Sequence, residues 1–149
     1  MRTLALNDLP ALVGEEVGVS DWLDITQSRV NTFAEATGDF QWIHVDVERA
    51  RREMGGTIAH GYLTLSLIPV LAKSLMQVEG LARSLNYGSD KVRFIAPVRV
   101  GKRIRMRTKV LATEPKSGGL QVKFEHTLEI EEEAKPACLA ETISLYFAA

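Results

Sequence analysis

Ile58-Ala59-His60-Gly61-Tyr62-Leu63-Thr64-Leu65-Ser66-Leu67-Ile68-Pro69-Val70-Leu71-Ala72-Lys73-Ser74-Leu75-Met76-Gln77-Val78 is the stretch on which the fold turns. On a helical projection its apolar side chains point nearly every way, and a helix that is apolar all round is a buried one. A buried strand would be too long at this length. Pro69 has no N–H to give, so it should bend the helix or loosen one turn. Lys73 interrupts the run, which leaves no window as long and apolar as a membrane span. The rest of the chain therefore has to cover one long helix.

The residues that follow are suited to that. From Arg103 to Val110, Arg103, Arg105, Arg107 and Lys109 alternate with Ile104, Met106, Thr108 and Val110, the period of a strand with one buried face. Residues 115–119 supply a turn of hairpin length. Beyond it Leu120, Val122, Phe124, Leu128 and Ile130 face one way, while Gln121, Lys123, Glu125, Thr127 and Glu129 face the other. The basic row of the first strand can lie beside this acidic-leaning row. Leu139 to Phe147 forms a last strand after Pro136, and Lys91 to Ile95 another, ended by Pro97.

Toward the N-terminus, residues 1–15 read as an irregular lead-in with one short apolar turn, and Val17 to Leu23 as a strand. Thr26 is placed to cap a helix carrying Val30, Phe33, Ala34 and Thr37 at helical spacing, with Gly38 just past its end. A loop from Asp39 to His44 follows. Asp46 caps a short helix, Val47 to Met54, that Gly55-Gly56 breaks.

One long helix followed by an antiparallel meander with one apolar face predicts an α+β fold, a curved sheet wrapped round a central helix: the hot-dog arrangement. Residues 1–149 read as one domain. Such a sheet leaves an edge and part of the helix uncovered, so a homodimer is expected.

Composition narrows the function. The net charge of -1 points to neither nucleic acid nor an anionic membrane. The single cysteine, Cys138, allows no internal disulfide and no multi-cysteine zinc site, and reads as a buried strand residue. Asp8, Glu15 and Glu16 come early, without a basic-then-apolar run, so no export signal is expected and a reducing cytoplasm is the default compartment.

Two short stretches carry chemistry: Ala36-Thr37-Gly38-Asp39-Phe40-Gln41-Trp42-Ile43-His44-Val45-Asp46 and Gly55-Gly56-Thr57-Ile58-Ala59-His60-Gly61-Tyr62-Leu63. Together they resemble the motif of the MaoC-like (R)-specific enoyl-CoA hydratases: Gly-Asp, then His-any-Asp, then a helix opening with His-Gly. Val92-Arg93-Phe94-Ile95-Ala96-Pro97-Val98 is similar to that family's Arg-Phe…Pro-Val strand. Many members have Asn-Pro where this chain has Gln41-Trp42, a form that resembles the nodulation-N-like subgroup. The substitution keeps Asp and His but changes the wall beside them, which bears on the choice of acyl chain. The resemblance implies a hot-dog fold and hydration of a trans-2-enoyl-CoA thioester. One water between Asp39 and His44 would give its OH to the β carbon and a proton to the α carbon on the same face.

The residue types suit that chemistry independently. Histidine exchanges protons near neutral pH, and a carboxylate beside it can hold the same water. Gly61 falls at the first turn of the central helix, where backbone N–H groups lack partners and the missing side chain lets a thioester oxygen approach. Asn86, ahead of the Arg-Phe strand, is a candidate for contact with pantetheine or the thioester, though Asn86-Tyr87-Gly88 also reads as a turn. Arg93, Lys91 and the row Arg103, Arg105, Arg107 could meet CoA phosphates, yet a solvated outer face explains that row equally well. His60 reads as a brace for the loop, and His126 as a satisfied core histidine. Phe40, Trp42 and Leu63 are candidate walls. No metal is expected, and no cofactor beyond the CoA carried by the substrate. Two other functions fit the same fold: an acyl-CoA thioesterase, which aims water at the carbonyl carbon, and a non-catalytic acyl-binding or assembly subunit. The presence of both Asp39 and His44 argues against the latter.

Overall fold

A computed structural model describes residues 1–149. Its centre is the helix expected from the sequence, in two pieces. Leading up to it are β1 (Arg2–Ala5), a 3-10 turn (Leu6–Leu12), β2 (Glu16–Val19), β3 (Leu23–Asp24), α1 (Gln27–Thr37), α2 (Trp42–Val45) and α3 (Val47–Met54). The central pieces are α4 (Gly61–Ser66) and α5 (Ile68–Leu75). The chain then runs through β4 (Met76–Glu79), β5 (Leu81–Phe94), β6 (Arg103–Lys116), β7 (Gly119–Ile130) and β8 (Cys138–Ala148).

The break between α4 and α5 has the expected cause. Pro69 cannot donate to the carbonyl four residues back, and it sits in the first turn of α5, where that donor has no helical partner anyway. Leu67 bridges the two pieces in right-handed helical geometry, its N–H shared between the Leu63 and Thr64 carbonyls. The helix ends at Leu75 rather than running to Val78. Met76–Glu79 leaves it as a strand and pairs in parallel with Arg2–Ala5, so the N-terminus is not the irregular lead-in its weak pattern suggested. Nor is the helix covered on every side: Tyr62 is 70% exposed and Val70 is also open.

The main sheet is antiparallel, in the order β2-β6-β7-β8-β5, with β3 also paired to β6. This is the hot-dog arrangement. Its inner rungs are Ile104 opposite Ile130, Met106 opposite Leu128 and Val110 opposite Phe124, and they pack with Leu63, Leu67, Leu71 and Leu75 in one core. The outer face carries the expected charge rows. Arg105 Nε donates to Glu129 at 2.6 Å, Arg107 Nε to the same carboxylate at 2.5 Å, and Arg103 pairs with Glu131. These partly solvated pairs contribute little stability, but they occupy the guanidinium groups.

β5 is longer than its Lys91–Ile95 signal. It absorbs Asn86-Tyr87-Gly88, which is strand and not turn. Three register shifts against β8 break its alternation, and as the sheet's outermost strand it carries polar residues. Exposed Leu85, Tyr87 and Phe94 lie along it. Cys138 is fully buried, and burial pushes its thiol up to about 11, which makes it unreactive.

One inner rung is polar. Thr108 faces His126 in the β6–β7 register. The imidazole is held by Thr108 Oγ1 on Nδ1 at 2.9 Å and by Thr142 Oγ1 on Nε2 at 3.0 Å. Burial lowers its pKa from 6.5 to about 4. The unfolded chain protonates this ring below about pH 6.5, while the folded chain resists until about pH 4. The ring's contribution to stability is therefore complete above pH 6.5 and is lost progressively as the pH falls toward 4, by about 3 kcal/mol in all. Urea melts at pH 7 and pH 4 should show wild type losing that much more than His126→Gln. Equal losses in the two proteins would contradict a dry, neutral ring.

Candidate active site

The local fold around Asp39 follows from its capping residues. Thr26 Oγ1 accepts from Arg29 N–H and starts α1, and Gly38 closes it with φ of +80°, a left-handed turn that glycine adopts at little cost. The chain turns at Asp39, whose Oδ1 accepts from the Gln41 N–H at 3.3 Å, and enters α2. His44 is therefore not in a loop. It stands on a one-turn helix that four residues were too few to announce.

Position 44 is pinned from several directions. Its Nδ1 lies 2.7 Å from the Ile58 carbonyl, so Nδ1 carries the proton and donates, which leaves Nε2 as the basic nitrogen. Ile58 N–H donates to the Ile43 carbonyl at 3.0 Å, tying α2 to the segment before α4. Gln27 Nε2 donates to the His44 carbonyl at 2.7 Å while its Oε1 accepts from Thr57 Oγ1 at 2.6 Å. Gln27 thus joins α1, α2 and the segment before α4. Nothing in its sequence position signals that role, because all its partners are distant in the chain. The His44 side chain is buried, whereas Asp39 is exposed.

His60 completes the cluster. It is 3% exposed, its ring stacks on His44 with centroids 3.8 Å apart and planes 23° apart, and its Nε2 donates to the Asp39 carbonyl at 2.9 Å. The brace expected from the sequence is thus a direct bond to Asp39. An Asp39 carboxylate oxygen and one ring nitrogen from each histidine lie within 4.8 Å of one another, with no hydrogen bond between carboxylate and imidazole. That spacing suits one bridging water. His60 Nε2 is engaged by the Asp39 carbonyl, while its buried Nδ1 has no partner within the chain.

Gly61 opens α4 directly after His60, and its N–H has no acceptor within the chain. A Cβ there would lie 3.2 Å from the Phe94 ring, so the glycine also lets β5 approach the helix. Asn86 is not brought to this cluster. It lines a groove of about 780 Å³ between the central helix and the sheet, which begins at Leu65 and Ser66, one turn beyond Gly61. A second hollow, of about 390 Å³, lies on the outer face beside Trp22, Arg105 and Glu129, where Arg105 and Glu129 are paired with each other.

The match to known proteins follows the same outline. Residues 8–134 fit the family model described as the MaoC like domain. The chain belongs to the MaoC-like family. It is 50% identical to 3-hydroxyacyl-thioester dehydratase Z of Mycobacterium tuberculosis, over 99% of this chain and all of that protein. It is 42% identical to nodulation protein N of Rhizobium leguminosarum bv. viciae, over 97% of this chain and 92% of that one. Among solved structures, the (R)-hydratase PhaJ1 of Pseudomonas aeruginosa superposes with a TM-score of 0.74 at 22% identity, covering 92% of this chain and 83% of the other. At that identity the likeness shows the MaoC-like fold. No helix of the chain is long and apolar enough to cross a membrane.

Proposed function

We propose that this protein hydrates trans-2-enoyl-CoA thioesters to (R)-3-hydroxyacyl-CoA, and runs the reverse dehydration, through one water held between Asp39 and His44. The broader class, a hydro-lyase of the hydratase and dehydratase kind, is what its full-length relative of 50% identity is named for. The finer reading is carried by one observation: His44 is buried with Nδ1 committed to the Ile58 carbonyl, which leaves Nε2 as its base, and its ring has a nitrogen within 4.8 Å of an Asp39 carboxylate oxygen. In the forward direction the water's oxygen bonds to the β carbon. A proton passes to the α carbon as the π bond is lost, and negative charge collects briefly on the thioester oxygen. The free N–H of Gly61 is the donor for that oxygen, with the positive end of the α4–α5 helix behind it. No resident metal or cofactor enters this scheme.

The acyl tail would run along the helix into the groove, past Leu65, Ile68, Ala72 and Met76. Asn86 then contacts the substrate as part of the groove wall, not at the thioester. The CoA phosphates fall to Lys91 and Arg93, which make no ion pair in the chain, because Arg103, Arg105 and Arg107 are engaged with glutamates. The exposed edge of β5 and the open faces of Tyr62 and Val70 fit a second copy, in a dimer joined through β5. Light scattering should give twice the chain mass, and Leu85→Lys should weaken the dimer. A monomer at micromolar concentration would rule this arrangement out.

The activity is tested by incubating the purified chain with crotonyl-CoA while following absorbance of the conjugated double bond together with free thiol. Loss of absorbance without thiol is the expected result. Thiol release would identify a thioesterase instead, and neither change would leave a binding subunit.

A further inference from the structure

The groove beside the central helix has two unlike walls. On the helix side it is mostly hydrocarbon, interrupted by Ser66 and Lys73. On the sheet side Ser84, Asn86, Ser89, His126, Thr142 and Ser144 stand among Phe124, Ile143 and Tyr146. The register places these polar groups next to one another: Asn86 opposite Ser144, Ser89 opposite Thr142, and His126 one strand further in. The side chains of Ser84, Asn86, Ser89 and Ser144 take no partner within the chain, and Thr142 Oγ1 bonds only to His126 Nε2. A purely hydrocarbon tail laid in this groove would strip water from that wall and return no hydrogen bond.

The Thr108–His126–Thr142 chain gives the wall a further property. A hydroxyl can donate or accept, and a neutral imidazole can carry its proton on either nitrogen. If Nε2 carries the proton, Thr142 accepts it and its own O–H is free to donate into the groove. If Nδ1 carries it, Thr142 donates to Nε2 and its lone pairs are free to accept. Thr142 can therefore meet a carbonyl or a hydroxyl. The ring stays neutral across the physiological range because burial lowers its pKa to about 4, so the sheet side offers no charge, and the one charged group lining the groove is Lys73 on the opposite, helix side.

We propose that the groove is built for an acyl chain bearing a neutral oxygen function, a hydroxyl or keto group, on its distal half, with Thr142 as the contact and His126 as the residue that positions it. The proposal rests on the acyl-thioester reading above. From Leu65 to Met76 the helix side of the groove runs about 16 Å, so the oxygen lies well away from the reacting carbons.

The test uses unreactive ligands, so that binding is read apart from chemistry. Dissociation constants are measured by calorimetry for decanoyl-CoA and for its hydroxylated forms, with the hydroxyl moved from carbon six to carbon ten. At least one hydroxylated form should bind fivefold or more tightly than decanoyl-CoA. Thr142→Val, or Thr142→Ala should the valine protein not fold, should bring the two within twofold of each other. Weaker binding of every hydroxylated form by wild type would overturn the proposal, as would a preference that survives removal of the Thr142 hydroxyl. Crotonyl-CoA turnover by wild type is recorded alongside. Its absence with the binding preference intact would count against the hydratase reading alone, whereas turnover without the preference would count against the groove alone.

Discussion

Asp39→Asn and His44→Gln are each expected to lower kcat/KM for crotonyl-CoA by about 10²–10⁴-fold, the usual contribution of a positioned general acid or base. Both proteins should stay folded. Asp39 is exposed, and its one side-chain bond, from the Gln41 N–H, can be accepted equally by an asparagine oxygen. His44 is buried, but a glutamine amide can still donate to the Ile58 carbonyl that now receives Nδ1–H. What neither variant can do is hold and deprotonate the water. If the two groups act through one water molecule, as proposed, the double variant should be hardly slower than either single one. Turnover is read with circular dichroism and thermal melts on the same samples. Near-normal turnover in both single variants would remove the dyad from the mechanism.

Gly61→Val is expected to lower kcat/KM by about 10²–10³-fold, comparable to the loss of one oxyanion donor. A Cβ at this position already meets the Phe94 ring at 3.2 Å, and valine adds two methyl groups. The loss could then come from crowding Phe94 instead of from blocking the amide. Gly61→Ala separates the two explanations when combined with Phe94→Ala. Phe94 is half-exposed, so trimming it relieves the contact at small expense to the core. If Gly61 serves only to pack against Phe94, the double variant regains the turnover that Gly61→Ala loses. If the amide polarises the thioester, it does not, because the methyl group still stands before the N–H.

How much of this could be read from the chain varied with how local the signal was. β6 and β7 were plain, since every second residue from Arg103 to Val110 is charged and those between face the core. The Pro69 break and the caps at Thr26, Gly38 and Asp46 were equally plain, each being the chemistry of one residue acting on its neighbours. β5 was half hidden, because bulges at Asn86 and Ser89 shift its alternation and an edge strand need not be apolar. β1 was missed, because its partner β4 lies 74 residues away in register and only pairing makes it a strand. At the site, Asp39, His44, His60 and Gly61 could be named from the sequence, but the stack of His44 on His60 and the bracing by Gln27 could not. Asn86 was picked out and then found on the groove wall, a placement set by register, not by local pattern.

The most direct measurement is the stereochemistry of the product formed from crotonyl-CoA in deuterium oxide. A single water shared by Asp39 and His44 must deliver oxygen and hydrogen to the same face. The product should be (R)-3-hydroxybutyryl-CoA with one deuterium on the α carbon, syn to the new oxygen. An (S) alcohol, deuterium on the opposite face, or free CoA in place of the alcohol would contradict it.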